Sequence, residues 1–297
     1  MSIHPATYMG PVHYTVNDLD RQVAFYRDIL GFRVLRQEGR TAVLGAPDRE
    51  LVRLTEVPGA PRPRGTTGLY HTAFLLPTRW DLAHLIYRIA ATRTPIHGHS
   101  NHGTHLAFYL PDAEGNGIEL AWDFPKEQWP MRNGRMRFED LPREGIDIPE
   151  LMKELERDPR PWPGLPAGTV VGHVHLHVSD LDTARRFYHE LLGFDVTMDD
   201  RRFGAVFVSA GGYHHHIGMN IWKGVGAPPP PEGAAGLRWF TVVLPSAEEL
   251  ARLLDRLRAA GVEPLEDGDG GVLVYDPSRN GVRLVVGQDG RASDAGM

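Results

Sequence analysis

Three histidines on alternate positions, His173, His175 and His177 in "GHVHLHVSDLD" (172–182), stand just ahead of a helix start. On a strand that spacing turns all three rings to one face. Downstream, "GGYHHHIGMN" (211–220) carries His214, His215 and His216, and the loop "GHSNHGTH" (98–105) offers His99 and His102. Near neutral pH an imidazole can ligate a metal through a bare nitrogen or pass a proton. The chain holds 15 histidines and no cysteine, so thiolate metal sites, disulfides and cysteine nucleophiles are excluded. A near copy of the first phrase, "GPVHYTVNDLD" (10–20), has Pro11 where the other has His173. That substitution raises the question of why one copy keeps its histidine and the other does not.

The elements that must position these groups come in repeats. "NDLDRQVAFYRDILGFRV" (17–34) matches "SDLDTARRFYHELLGFDV" (179–196) at a constant offset of 162. Each opens on a helix-capping Asp, continues with apolar residues at helical spacing (Val23, Phe25, Tyr26, Ile29, Leu30), and stops at Gly31 or Gly193. A second phrase recurs as "GLYHTAFLLPTRWDLAHLIYRI" (68–89) and "GLRWFTVVLPSAEELARLLDRL" (236–257), a strand and then an amphipathic helix. The closing turns "EGNGIELAW" (114–122) and "SRNGVRLVV" (278–286) share an Asn-Gly pair. The chain therefore reads as α+β: four βαβββ modules, at 8–60, 66–124, 169–224 and 234–288, whose mixed sheets curve around interior cavities as two barrel-like domains. The first half is 1–124 and the second 169–297. The charged, proline-bearing stretch 125–168 joins them as a linker with one short helix near 148–157.

Composition bounds the rest. The 297 residues, 41% hydrophobic and 24% charged, are ordinary for a soluble globular protein. A net charge of −6 gives no electrostatic reason to expect nucleic acid or an anionic membrane as partner. No apolar run reaches the roughly 20 residues of a membrane span, and "MSIHPATYMG" lacks a signal-type apolar region. A cytoplasmic protein is the expectation, and a homo-oligomer is left open.

The module pattern, the phrases "FYRDILGF" and "FYHELLGF", and "GNGIEL" resemble the vicinal oxygen chelate superfamily, which has the glyoxalase/bleomycin-resistance/dioxygenase fold. Within it the chain is most similar to type I extradiol dioxygenases of the catechol 2,3-dioxygenase kind. That resemblance implies a divalent metal held by a histidine seven positions before the helix-opening Asp of one module. A histidine and a glutamate from the first and last strands of another complete the set. In this sequence the first place is His173 in module 3 but Pro11 in module 1. The second is His71 in module 2 but Trp239 in module 4, and the third is Glu119 in module 2 but Arg283 in module 4. No pairing within a half yields three ligands. Pairing module 2 with module 3 gives His71, Glu119 and His173, a set suited to Fe(II), with Mn(II) as the alternative ion. His13, on the face of Pro11 two residues along, is the rival for His173, although it stands about 6.6 Å further along the strand.

The resemblance further implies an acid–base histidine in the last strand of module 3, read first as His216 on strand alternation and then as His215. It implies Tyr109, ten residues before Glu119, as a hydrogen-bond donor to substrate, and His102 or His99 beside bound oxygen. The implied function is an Fe(II)-dependent extradiol dioxygenase, inserting O2 next to the vicinal hydroxyls of catechol or a substituted catechol to give a muconic semialdehyde. Its partners would be a small aromatic diol and O2. The alternatives are another metal-dependent enzyme of the superfamily (a glyoxalase-like isomerase or thiol transferase) and a metal-free protein that binds aromatic ligands.

Overall fold

A computed structural model describes residues 2–142 and 144–287; the last ten residues assigned above to the second half, 288–297, lie outside the described residues. Module 1 comprises β1 (Tyr8–Val16), α1 (Leu19–Ala24), β2 (Arg33–Glu38), β3 (Thr41–Ala46) and β4 (Arg49–Glu56). Module 2 comprises β5 (Gly68–Leu75), α2 (Arg79–Ala91), β6 (Gly98–Asn101), β7 (His105–Pro111) and β8 (Gly117–Asp123). After α3 (Ile148–Arg157), module 3 runs through β9 (Val170–His177), α4 (Leu181–Arg185), β10 (Asp195–Asp200), β11 (Ala205–Ser209) and β12 (Ile217–Asn220). Module 4 comprises β13 (Gly236–Leu244), α5 (Ala247–Ala259), β14 (Leu265–Glu266), β15 (Val272–Tyr275) and β16 (Gly281–Val286).

Capping is as the sequence suggests. Asp18 and Asp180 each accept a hydrogen bond from a backbone N–H three residues on, at 2.9 and 2.8 Å. The helices they open do not stay α-helical. In both copies the "FY" phrase widens into a π-helix, Phe25–Ile29 and Arg186–Leu191. The wide turn still buries Tyr26 and Tyr188 completely. Gly31 ends the first at φ +74°, and a Cβ there would meet the Trp162 ring at 2.4 Å, so close packing by the linker requires a glycine.

The two eight-stranded sheets do not follow the two halves of the chain. One runs β14-β15-β16-β13-β1-β4-β3-β2 and joins modules 4 and 1; the other runs β10-β11-β12-β9-β5-β8-β7-β6 and joins modules 3 and 2. This is the cross-midline pairing expected from the distribution of the candidate ligands. Each sheet curls, so every central strand has one face toward its own cavity and one toward the other sheet. On β1, His13 and Pro11 point inward, whereas Val12, Tyr14 and Val16 enter a core shared with Phe74, Val174 and Leu176. Tyr14 Oη and Thr72 Oγ1 form a buried hydrogen bond of 2.6 Å between β1 and β5, across the two sheets.

Within each half, the closing turn of the second module grips the helix of the first. Glu114 accepts from the N–H groups of Asn17 and Asp18 at 2.9 and 2.8 Å. In the second half, Ser278 Oγ accepts from Ser179 N–H at 3.0 Å, and Tyr188 Oη donates to Asp276 Oδ2 at 2.9 Å. The sheets pair across the halves while the turns clamp within them, so the modules interlock. The linker is part of this body. Trp80 Nε1 donates to Asp158 O, Arg79 pairs with Glu154 on α3, and Met136 N–H donates to Thr197 O.

The Tyr188–Asp276 bond is fully buried, and burial raises the Asp276 pKa against the opposing hydrogen bonds from Asn280, Ser278 and Tyr188. Tyr188→Phe removes one of those donors from a carboxylate without access to water. It should lower stability by about 1–3 kcal/mol, read as a fall in the urea midpoint at unchanged m-value.

Candidate metal centre and its surroundings

The centre is built on the seam between β5 and β9. These strands run antiparallel with His71 opposite His175 and Ala73 opposite His173, and β8 lies parallel on the other side of β5 with Glu119 beside Ala73. His71, His173 and Glu119 therefore meet inside one barrel. His71 Nε2 and His173 Nε2 lie 3.0 and 3.2 Å from Glu119 Oε2. One ligand atom from each of the three can be chosen so that all lie within 4.8 Å of one another.

The donors fit a cation. His71 Nδ1 is buried without a hydrogen-bond partner among the described residues, and His71 Nε2, although 3.0 Å from Glu119 Oε2, makes no aligned hydrogen bond with it. Each such orphan costs about 1–3 kcal/mol when nothing satisfies it. A divalent ion among two imidazoles and one carboxylate would satisfy His71 Nε2 and the carboxylate, and leave open positions. Burial alone would raise the Glu119 pKa, but the charges of His173 and His71 and the His105 ring beside it hold it well below the usual carboxylate range. The carboxylate is thus ready to ligate. Burial lowers His173 to about 4, which keeps a bare nitrogen available.

The other expected residues divide. His102 Nε2 and Tyr109 Oη share a hydrogen bond of 2.7 Å, and Tyr109 stands directly opposite Glu119 in the β7–β8 register. His99 is on β6, where its Nδ1 accepts from Ile146 N–H at 3.2 Å in the linker, so it serves packing instead. The histidine run does not lie on a strand. It precedes β12, which starts at Ile217, so alternation does not govern the rings. His215 lies over His173 with ring centroids 4.0 Å apart. His216 turns aside, its Nδ1 accepting from Ala210 N–H at 3.1 Å and paired with Ser209 Oγ at 3.0 Å. Geometry favours the second choice over the first.

Sequence reasoning missed two groups, His105 and Asp123. His105 Nε2 lies 2.9 Å from Glu119 Oε1, and His105 pairs in register with Asp123. Asp123 Oδ1 accepts from His214 Nε2 at 3.2 Å. The signal for these was the two-residue period: Tyr109 and His105 share one face of β7, and Glu119 and Asp123 share one face of β8. His175, one of the alternating histidines read from the sequence, is buried with an orphaned Nε2 against Tyr70, Phe207 and Trp222.

The equivalent space in the other sheet is filled. His13 Nε2 is 2.8 Å from Thr55 Oγ1 and its ring abuts Trp239 edge-on at 4.2 Å. Arg283, in the place of Glu119, pairs with Asp267. Only about 10 Å³ remains among Pro11, His13, Arg53, Trp239 and Arg283.

Residues 8–120 and 170–284 match the family model of the Glyoxalase/Bleomycin resistance protein/Dioxygenase superfamily. A catechol-2,3-dioxygenase of Bacillus subtilis is 42% identical over 280 residues, covering 93% of this chain and 96% of its own. Among solved structures, a Bacillus subtilis protein provisionally described as a dioxygenase superposes at a TM-score of 0.65 with 12% identity, over 96% of this chain and 86% of that one. Glyoxalase I of Zea mays does so at 0.57 with 17% identity, over 94% and 92%. Both likenesses concern the fold. Among the described residues no helix is long and apolar enough to cross a membrane.

Two expectations follow. Loaded with Fe(II) or Mn(II), the chain should bind one ion, measured by elemental analysis after desalting. His173→Ala and His71→Ala should abolish that binding, whereas His13→Ala should retain it. His13 also gives a pH signature remote from the metal centre. Burial, and then the charges of Arg238, Arg53 and Arg283, lower its pKa from 6.5 to about 3. The unfolded chain takes up a proton below pH 6.5 and the folded chain does not, so this stability is complete above pH 6.5 and lost as pH falls toward 3. From pH 7 to pH 5 the loss from this residue is about 2 kcal/mol. His13→Gln should shrink the fall in the urea midpoint over that interval accordingly.

Proposed function

We propose, because this chain belongs to the Glyoxalase/Bleomycin resistance protein/Dioxygenase superfamily, that it is an Fe(II)-dependent extradiol dioxygenase opening the ring of catechol or a substituted catechol beside its vicinal hydroxyls. Kinship with a catechol-2,3-dioxygenase along nearly the whole chain makes it an enzyme of that kind; the ferrous ion, the diol and the semialdehyde product are the finer reading. The single observation that carries it is the convergence of His71, Glu119 and His173 from opposite halves, with His71 Nε2 buried against the Glu119 carboxylate without an aligned hydrogen bond. A metal-free ligand-binding protein would have no use for that arrangement and would bear its cost.

Bound there, Fe(II) would supply a Lewis acid and one-electron chemistry with open positions for a diol and dioxygen. The chain's own groups handle protons and water. His215, lying against His173, is the group to take a proton from a diol hydroxyl and return it when the ring opens. Tyr109, held by His102, would donate to a substrate oxygen. His175, Phe207 and Trp222 wall the same barrel and keep bulk water from the open ring.

Anaerobic loading with Fe(II), then catechol and air, should produce a yellow ring-opened product followed by near-visible absorbance; Mn(II) loading is the parallel arm. A colourless result for catechol and several substituted catechols with both ions would refute the reaction. His215→Gln should lower kcat by about 10²–10⁴-fold with little change in KM, and His216→Gln should leave kcat within a few-fold of wild type.

A further inference from the structure

We infer that Asp123, acting through His214, fixes the ring tautomer of His215, so that His215 carries its hydrogen on Nδ1 and keeps Nε2 bare. Asp123 and His214 are then positioning residues for the acid–base group, and this role rests on the reaction proposed above. The chain of contacts is short: His214 Nε2 is 3.2 Å from Asp123 Oδ1, and His214 Nδ1 is 2.7 Å from His215 Nδ1. An ionised carboxylate can only accept, so the hydrogen on His214 sits on Nε2. A neutral imidazole has one N–H, which leaves His214 Nδ1 as an acceptor. Two bare nitrogens cannot approach to 2.7 Å, so the hydrogen between the rings belongs to His215 Nδ1. In neutral His215 the second nitrogen is then a lone pair, the form a general base must take.

The rings are not free to choose otherwise. His214 is fully buried, stacked on His105 with centroids 4.8 Å apart at 13°, with the Trp129 ring of the linker edge-on at 5.0 Å. His215 is stacked on Phe207 at 4.5 Å and 19°. The Tyr213 ring lies against His214 from another side, with centroids 4.0 Å apart.

A second cation is the rival explanation, because ligand atoms of His105, Asp123 and His214 also lie within 4.8 Å of one another. The stacking argues against it. A metal about 2.0–2.1 Å from two imidazole nitrogens lies near both ring planes, and two nearly parallel rings stacked this far apart offer no such point. Hydrogen bonds suit the arrangement; shared ligation does not.

The experiment is long-range 1H–15N correlation of histidine-labelled, metal-free protein, which reads tautomers without any activity. His214 should be protonated on Nε2 and His215 on Nδ1. In Asp123→Asn the amide can instead donate to His214 Nε2, so His215 should move toward the Nε2–H form. His214→Phe, which deletes the acceptor, should move it the same way. Once loaded with Fe(II), Asp123→Asn should lose about 10–100-fold in kcat with KM changed by less than a few-fold. A wild-type His215 protonated on Nε2, an unchanged tautomer in both variants, or two tightly bound ions per chain would overturn the inference. The expected tautomers in a chain inert toward every catechol would uphold the positioning and refute the reaction, so the two can fail separately.

Discussion

The register of β5 against β9 is the constraint from which the rest of the centre follows. These two strands begin the second and third modules, and their pairing closes a sheet across the middle of the chain. With a two-residue side-chain period, a slip of one residue would turn His71 or His173 out of the barrel and drive Thr72 or Val174 into it. Both faces resist that slip. The outer residues Thr72, Phe74, Val174 and Leu176 are buried in the core between the sheets, where Thr72 is tied to Tyr14 of the other sheet. The inner residues converge on Glu119. Shared hydrophobic packing, which has no chemistry of its own, therefore sets the separation of two candidate ligands distant in sequence.

That seam also accounts for the missing histidine at Pro11. Four copies of one module yield two barrels, and each barrel takes its first-place ligand from one half and the other two from the opposite half. Modules 2 and 3 retain His71, Glu119 and His173; modules 1 and 4 have Pro11, Trp239 and Arg283. The second barrel is filled instead, although His13 Nδ1 stays buried without a hydrogen-bond partner among the described residues. Trp239 occupies the volume and Arg283 is neutralised by Asp267, so that the barrel contributes packing and a buried, uncharged His13.

Much of this was legible in the sequence for a definite reason. The 162-residue offset reveals the repeat, and the ligand places that the family resemblance implies, set on the aligned copies, point to pairing across the midline. Helix caps at Asp18 and Asp180 and the stop at Gly31 are local signals that the fold keeps. What stayed hidden depends on departures from regular geometry. The π-turns at Phe25–Ile29 and Arg186–Leu191 have the same apolar spacing as an α-helix over so short a span. The histidine run precedes the strand, so alternation, which favours His216, does not govern where its rings point. His105 and Asp123 were within reach of the two-residue period, but only after Tyr109 and Glu119 had been assigned to adjacent, register-paired strands.

So many imidazoles in one small space carry an energetic consequence of their own. Burial lowers His102 to about 3 and His173 to about 4, and pushes His175 and His215 well below the ordinary value. Each ring is buried uncharged, so each makes the fold more sensitive to acid than an aliphatic residue in its place would. Close-packed neutral rings nonetheless suit a site that must hold a cation: they offer lone pairs, stack tightly enough to exclude water, and add no positive charge to repel the ion. His105 is the exception that fits. Its burial would lower the pKa, but Glu119 and then Asp123 raise it above the ordinary value, so the one imidazole favoured as a cation lies against the carboxylate most in need of a counter-charge before metal arrives.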